Sequence, residues 1–160
     1  MSTTGGAPEL GRLYNLENSR NPAQLAEMTR LQKSGECLFC FDSLASDADH
    51  PLLWESESWV VTPNRYPYAD SRLHLLLIPK KHAADIVDLE DAALQDFWEG
   101  LRWIHTHYSL SHYGLGVRCG DCRFTGGTIQ HVHVHVLVGD VDAPGHRPIR
   151  LKLSSSVAVT

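Results

Sequence analysis

Apolar positions along the chain recur with the period of a helix in two segments. In residues 21–35 they lie three apart, after an Asn-Pro start and before a glycine, which predicts a short N-terminal helix. A longer stripe with the same period predicts a second helix, capped by Asp88. The apolar face of this long helix consists of Leu94, Phe97, Trp98, Leu101, Ile104 and Tyr108.

Strand patterns occupy four other segments. Residues 52–62 contain two apolar runs split by four polar residues, which predicts a hairpin. Residues 73–78 and 115–119 predict single strands, and residues 131–138 predict another, in which histidine and valine alternate as far as Val136. Because turns join some strands and the long helix joins others, the pattern predicts an α+β fold. We expect a mainly antiparallel sheet of about five strands with one long helix and an N-terminal helix.

The length of 160 residues is typical of a single domain. We expect a flexible N-terminal arm in residues 1–20, one domain in residues 21–153 and a C-terminal tail in residues 154–160. The net charge of −5 argues against a protein that binds duplex nucleic acid through its phosphates. No apolar run approaches the roughly 20 residues of a membrane span, and the first residues lack a signal-peptide pattern. We therefore expect no membrane partner and a cytoplasmic location.

Histidine is unusually frequent, with 10 residues, and three of them stand at alternate positions of one predicted strand. His131, His133 and His135 therefore share one face of that strand. Three neighbouring imidazoles are costly to charge together, so most should be neutral and each should need a partner. This spacing suits either a metal site or a nucleophilic imidazole. The alternative is a solvent-exposed polar face of an edge strand.

The four cysteines form two Cys-x-x-Cys pairs, Cys37 with Cys40 and Cys119 with Cys122. In a reducing compartment such pairs are more often metal ligands or redox thiols than disulfides. Two thiolates do not complete a tetrahedral zinc site, so the first pair would need two further ligands. The spacing alone allows the second pair to supply them.

Three sequence blocks together resemble one superfamily. Residues 131–137, His-Val-His-Val-His-Val-Leu, match the signature His-φ-His-φ-His-φ-φ of the histidine triad (HIT) superfamily, in which φ is apolar. Residues 74–82 look like its strand with the fourth active-site histidine and the following turn. Residues 37–40 are similar to the zinc pair of its bacterial branches and of galactose-1-phosphate uridylyltransferase. The blocks cover about residues 36–139, so the chain resembles the zinc-bearing bacterial type, similar to Hint- and Fhit-like nucleotide hydrolases.

The resemblance implies a HIT-like fold and an enzyme that acts on nucleotides. HIT proteins transfer the α-phosphoryl group of a nucleotide conjugate to the middle histidine, here His133, and then to water, phosphate or another acceptor. His135 is expected to hydrogen-bond a phosphate oxygen or the leaving group, and His74 to orient the site. The implied catalytic residues are His74, Thr128, His131, His133 and His135. The implied nucleotide-binding residues are Asn64, Gly126, Gly127 and Thr128, with a plain turn as the alternative role of Asn64.

Two positions depart from the superfamily pattern. Gly127 stands where many hydrolases have a glutamine that positions the acceptor and leaving group, and Cys119-Gly120 replace a common asparagine that contacts the nucleotide. We expect a nucleotide hydrolase or nucleotidyltransferase with a covalent nucleotidyl-histidine, acting on a conjugate such as a dinucleoside polyphosphate or a phosphoramidate. The alternative is a non-catalytic nucleotide-binding regulatory or interaction module on a zinc-stabilised HIT fold.

The resemblance also implies one structural zinc per chain. Its ligands would be Cys37, Cys40, His82 and His131, which leaves the second cysteine pair as free thiols. The implied partner is a nucleotide or nucleotide conjugate, and the implied assembly is a homodimer.

Overall fold

Five antiparallel strands form one sheet, in the order β1-β2-β3-β5-β4, in the computed structural model, which describes residues 12–156. The strands are β1 (Trp54–Glu55), β2 (Trp59–Pro63), β3 (Ser71–Pro79), β4 (Gly114–Val117) and β5 (Val134–Gly139). The α-helices are α1 (Pro22–Ser34), α2 (Phe41–Ser46), α3 (Asp91–His107) and α4 (Cys122–Thr125). The predicted α+β class, with its antiparallel sheet, long helix and N-terminal helix, is confirmed. Within residues 12–156, no helix combines the length and apolarity needed to span a bilayer.

Helix α1 begins and ends where the sequence predicts. The Asn21 side chain accepts a hydrogen bond from the backbone N–H of Gln24 at 2.8 Å, and Pro22 occupies the first helical position. Gly35 ends the helix with φ of 70°, a conformation that glycine adopts without strain.

Helix α3 starts later than predicted. Asp88 closes a short 3-10 turn, and the cap residue of α3 is Glu90. Trp98, predicted on the apolar face, is 54% exposed. Phe97 and Ile104 are buried and lie at the centre of the apolar face, whereas Trp98 lies at the edge of that face. Trp98 therefore points towards solvent.

Strand β5 also starts later than predicted, at Val134 rather than at residue 131. If the pairing of β3 with β5 continued in the same register, Val132 would pair with Pro79, which has no N–H to donate. The N–H of Val132 instead donates to the carbonyl of Ala83 at 2.7 Å. Strand β4 likewise ends at Val117, two residues before the predicted end.

The strand alternation separates two apolar clusters on opposite faces of the sheet. One face packs against α3, and its strand residues include Val61, Leu75, Leu77, Val134 and Val136. The other face packs against α1 and the segment around Phe39, and its strand residues include Val60, Leu76 and Ile78. Because β5 lies between β3 and β4, the interpretation of the histidine strand as an exposed edge is wrong.

The N-terminal segment described from residue 12 lies against the second face. Tyr14 is buried, bridges to Ile129 and donates its hydroxyl hydrogen to the Glu36 carbonyl at 2.7 Å. Residues 1–11 of the predicted arm, and residues 157–160 of the predicted tail, lie outside the described residues.

Candidate active site and metal cluster

A cleft of ≈ 900 Å³ opens on the sheet face opposite α3. It is lined by two triad histidines, His133 and His135, together with residues of α1 and the loops around it. Of the other predicted site residues, Asn64, Gly126 and Thr128 line it as well. Cationic side chains outnumber acidic ones in its wall, which favours an anionic ligand. The cations are Arg20, Arg65, Arg118, Arg147, Arg150 and Lys152.

The middle histidine of the triad has one ring nitrogen held and one available. The Nδ1 atom of His133 lies 2.7 Å from the carbonyl oxygen of His131, and a carbonyl oxygen only accepts, so Nδ1 carries the proton. The lone pair is then on Nε2. Burial lowers the pKa of His133 to about 4, so the ring is neutral near pH 7. His133 is therefore held in the tautomer that a nucleophile requires.

The tautomers of His74 and His135 follow from a backbone donor. The N–H of Tyr68 donates to Nδ1 of His74 at 3.0 Å, so the proton of neutral His74 is on Nε2. This Nε2 lies 2.8 Å from Nδ1 of His135, which must then accept. His135 consequently carries its own proton on Nε2.

Both rings of this pair are neutral. Burial lowers the pKa of His74 to about 3 and lowers the pKa of His135 further. Tyr68 covers them, with its ring centroid 4.7 Å from that of His74 and 5.6 Å from that of His135. The site therefore places an unprotonated nitrogen on His133 next to a hydrogen-bond donor on His135.

The first triad histidine, His131, does not line the cleft. His131 is 1% exposed, and its Nε2 donates to the carbonyl of Pro79 at 2.9 Å, so the Nδ1 lone pair is free. That Nδ1 lies 3.4 Å from Sγ of Cys37 and 3.9 Å from Sγ of Cys40. Nδ1 of His82 lies 3.5 Å from Sγ of Cys40.

These four side chains form a cluster that could hold a metal ion. The ligand atoms of Cys37, Cys40, His82 and His131 all lie within 4.8 Å of one another. Among the described residues this cluster includes neither Cys119 nor Cys122, and Cys119 packs on the opposite, α3 face of the sheet. The described residues therefore do not bring the second cysteine pair to the first, as an all-cysteine site would require.

The predicted nucleotide-binding residues have mixed surroundings. Oδ1 of Asn64 accepts from the N–H of Tyr66 at 2.9 Å, as in a turn, while its Nδ2 lies 3.0 Å from Nε2 of His74. Gly126 has φ of 73°, and a Cβ there would lie 3.0 Å from Lys152 and from the Ser154 carbonyl. Gly127 does not line the cleft, and its carbonyl accepts from Nδ2 of Asn18 at 2.8 Å.

The sequence interpretation missed Arg118 and gave Tyr68 only a packing role. Arg118 follows β4 directly, and Val117 pairs with Val134, so Arg118 lies beside the triad. The available signal was a cation at the end of a strand, but its value depends on knowing that β4 is the neighbour of β5. Tyr68 is positioned by the hydrogen bond that its backbone N–H donates to Nδ1 of His74.

A comparison with family models identifies the family of the chain. The model of the HIT domain matches residues 47–142, more than half of the chain. The chain belongs to the HIT family. The matched region of this HIT protein holds all five strands and the triad, whereas Cys37 and Cys40 precede it.

Solved structures of HIT proteins share the fold. A HIT family hydrolase from Clostridium thermocellum is 23% identical with a TM-score of 0.54, and the match covers 72% of this chain and 96% of that one. A HIT family hydrolase from Legionella pneumophila is 27% identical with a TM-score of 0.53, over 65% of this chain and 93% of that one. A histidine triad nucleotide-binding protein from Candida albicans is 22% identical with a TM-score of 0.53, over 63% and 73%. Among curated proteins, none matches the chain.

Proposed function

We propose that this HIT protein is a nucleotide hydrolase or nucleotidyltransferase that cleaves at the α-phosphate of a nucleotide conjugate. Family membership and the likeness to the Legionella pneumophila HIT family hydrolase support the reaction class. The excess of cations around the cleft supports a phosphate-bearing substrate. The observation that carries the proposal is the tautomer of His133, whose Nδ1 is held by the His131 carbonyl.

The reaction proceeds in two displacements at phosphorus. The Nε2 lone pair of His133 attacks the α-phosphorus and forms a P–N bond, while the bond to the leaving group breaks and its electron pair departs with that group. An oxygen of water or another acceptor then attacks the same phosphorus. The electron pair of the P–N bond returns to Nε2, and the acceptor's proton is released to solvent. Two displacements replace one slower reaction.

Neighbouring groups hold the nucleotide during these steps. We assign the Thr128 hydroxyl and the backbone around Gly126 and Gly127 to the phosphate oxygens, and Asn64 to the ribose hydroxyls. His74 orients His135 through their 2.8 Å contact. Removing a comparable oxyanion donor lowers kcat by about 10²–10³-fold.

The test is covalent trapping of a labelled nucleotide. Nucleotide phosphoramidates, dinucleoside polyphosphates and nucleotide sulfates, each labelled in the nucleotide, should leave acid-labile label on the wild-type protein and none on His133→Asn. His112→Asn, the same change on the exposed surface, is the matched control and should label fully. Clear nucleotide binding with no label and no turnover would overturn the proposal of an enzyme and favour a non-catalytic nucleotide-binding module.

We further propose that the Cys37, Cys40, His82 and His131 cluster binds one structural zinc ion. Zinc bonds of about 2.3 Å to sulfur and 2.0–2.1 Å to nitrogen separate the ligands of a tetrahedron by about 3.6 Å. The closest sulfur–nitrogen distances of the cluster, 3.4 and 3.5 Å, fit that value. The tautomer of His131 fits too, since it directs a lone pair at the thiols. Zinc would join residues 37–40 to the start of the triad strand.

Metal analysis tests this assignment. We expect one zinc per chain in the wild-type protein and in Cys119→Ser/Cys122→Ser, and no zinc in Cys37→Ser. Retention of zinc in Cys37→Ser, or its loss in the double variant, would contradict the assignment.

The homodimer and the cytoplasmic location stay proposals. Strand β4 pairs only with β5 among the described strands, and its Leu115 and Val117 are exposed, which supports association of two sheets at this edge. Light scattering should give a mass of two chains, and Leu115→Lys should shift it to one.

A further inference from the structure

The Arg118 side chain occupies the space next to Gly127 and reaches the triad. A Cβ at position 127 would lie 3.6 Å from Cδ of Arg118, an ordinary contact distance, so the aliphatic part of the Arg118 side chain lies directly beside Gly127. Its Nε donates to the carbonyl of Lys152 at 2.6 Å and its Nη2 to the Tyr68 hydroxyl at 3.1 Å. These two bonds hold the guanidinium in place. The remaining group, Nη1, lies 3.2 Å from Nε2 of His135.

This last contact joins two donors. Arg118 has only donor groups, and the bond from the Tyr68 N–H through His74 leaves the proton of His135 on Nε2. In this tautomer neither group accepts from the other, and the same holds for Nδ2 of Asn64 and Nε2 of His74, which lie 3.0 Å apart. Two N–H donors that converge at the wall of a cleft are satisfied together by an acceptor placed between them, and an anionic oxygen is the acceptor that a guanidinium binds best.

The charge of Arg118 is available to such a ligand. Among residues 12–156, the ion pairs do not include Arg118, Arg20 or Lys152. Arg20 stacks over the Tyr68 ring at 4.6 Å from its centroid, on the same side of the cleft. Arg65, in contrast, is paired with Glu27 and Asp47. Arg150, another cation of the cleft wall, also takes part in none of these ion pairs, and Arg118 is the unpaired cation whose guanidinium contacts His135, at 3.2 Å.

The state of His135 limits what it can do for a leaving group. A neutral imidazole donates a hydrogen bond through Nε2, but only an imidazolium transfers a proton readily to an amine. Burial first, and then the neighbouring histidines and Arg118, lower the pKa of His135. The leaving group thus departs with its electron pair and without a proton from His135.

We propose that Arg118 and His135 bind the leaving group, and that the site selects nucleotide conjugates whose leaving group departs as an anion over those that release an amine. The favoured substrate class is a nucleotide joined to a phosphate or polyphosphate. This inference rests on the proposed transfer to His133, and it identifies Arg118 as a substrate-contacting residue that determines specificity.

Leaving-group selectivity is the test. Diadenosine triphosphate, which releases ADP, and adenosine 5′-phosphoramidate, which releases ammonia, share one nucleotide. Arg118→Gln should lower kcat/KM by about 100-fold for the first and by less than about 3-fold for the second. Arg118→Lys keeps the charge and should show a smaller loss with the same selectivity. Arg102→Gln, an exposed arginine of α3 that pairs with Glu99, is the control and should change neither value.

A purely structural role of Arg118 predicts other results. If losing the Nε bond to Lys152 only loosened that segment, kcat/KM would fall by the same factor for both substrates. Equal losses of kcat/KM, or no loss, would overturn the proposal. Melting temperatures of all variants show whether the fold is intact. If Arg118→Gln does not fold, the selectivity of Arg118→Lys tests the proposal in its place.

If the wild-type protein turns over neither substrate, the proposed function fails and binding still tests the anion site. Calorimetry with inorganic pyrophosphate should then show at least about tenfold weaker binding to Arg118→Gln than to wild type. Equal affinities would overturn the inference independently of the chemistry.

Discussion

The two faces of the sheet are made by the same alternating strands but hold different side chains. On the α3 face, Val134 and Val136 pack in an apolar cluster with Ile104. On the opposite face, His135 is 4% exposed, and every polar atom there needs a partner. Burial of apolar side chains stabilises both faces, and on the second face burial also selects the protonation states of the histidines.

The difference between the two faces shows how β5 contributes both to stability, through its valines, and to the candidate active site, through its histidines. Desolvation keeps the histidines neutral, and fixed backbone groups decide which nitrogen carries each proton. The apolar face behind them holds the strand in register. Substitutions on the two faces should therefore separate activity from stability.

The largest effect is expected at the cleft face, from His133→Asn. Loss of the nucleophile should lower kcat by about 10⁴-fold or more. Because asparagine can still donate to the His131 carbonyl, the melting temperature should stay close to wild type. Steady-state kinetics with calorimetric melting measure both. A melting temperature that falls together with the activity would show that the two faces are not separable.

On the α3 face, Ile104→Ala should reverse this pattern. Ile104 is 0% exposed, so its truncation should lower the free energy of unfolding by about 2–5 kcal/mol and leave kcat of the folded protein nearly unchanged. Trp98→Ala, on the exposed side of the same helix, is the control, with a loss of less than about 1 kcal/mol. Urea unfolding measures both variants, and equal losses would contradict the assignment of the core face.

The buried histidines should make stability depend on pH. In the unfolded chain His74 takes up a proton near pH 6.5, whereas burial keeps its pKa at about 3 in the native state. Between these values the unfolded state binds more protons, so the free energy of unfolding falls as the pH drops below 6.5. At pH 5 the loss from His74 alone is about 2 kcal/mol.

Urea unfolding at pH 7 and pH 5 tests this loss. His74→Asn should reduce the difference between the two pH values by about 2 kcal/mol, while the exposed control His112→Asn should not. The same pH dependence in all three proteins would argue against burial as the origin.

A smaller effect should reveal the close packing of the α3 face. In Gly100→Ala the new Cβ would lie 2.7 Å from Leu77 and 2.9 Å from Trp54. Overpacking should cost about 1–3 kcal/mol, partly offset by a gain of about 1 kcal/mol in helix propensity. Gly114→Ala, with open space around it, should not destabilise the protein. Chemical denaturation distinguishes the two, and a stabilised Gly100→Ala would show that this face has room.

The parts of the site that the sequence predicted are those whose signals are local. The triad motif marks His133 and His135, which line the cleft, and the Cys37 and Cys40 pair marks two of the four side chains that could hold a metal ion. The start of β5 was wrong by three residues, because the absence of an N–H on Pro79 matters only in the register with β3. Asp88 was wrong as the cap of α3 because the chain makes a separate turn before the helix.

The role of Arg118 was beyond the reach of the sequence. Its environment includes Gly127, His135 and Tyr68, which lie 9, 17 and 50 residues away from it along the chain. No local pattern connects these residues.

The sequence by itself determined the two longest helices, α1 and α3, the alternation of the strands and the identity of the triad, because caps and periods involve residues a few positions apart. For His131 and His135, the tertiary structure alone decided which nitrogen is free. His131 meets Pro79 across 52 residues, and His74 meets His135 across 61. A proton's position depends on the group that faces it. For these two histidines folding brings that group from another strand, whereas His133 meets the carbonyl of His131, two residues away.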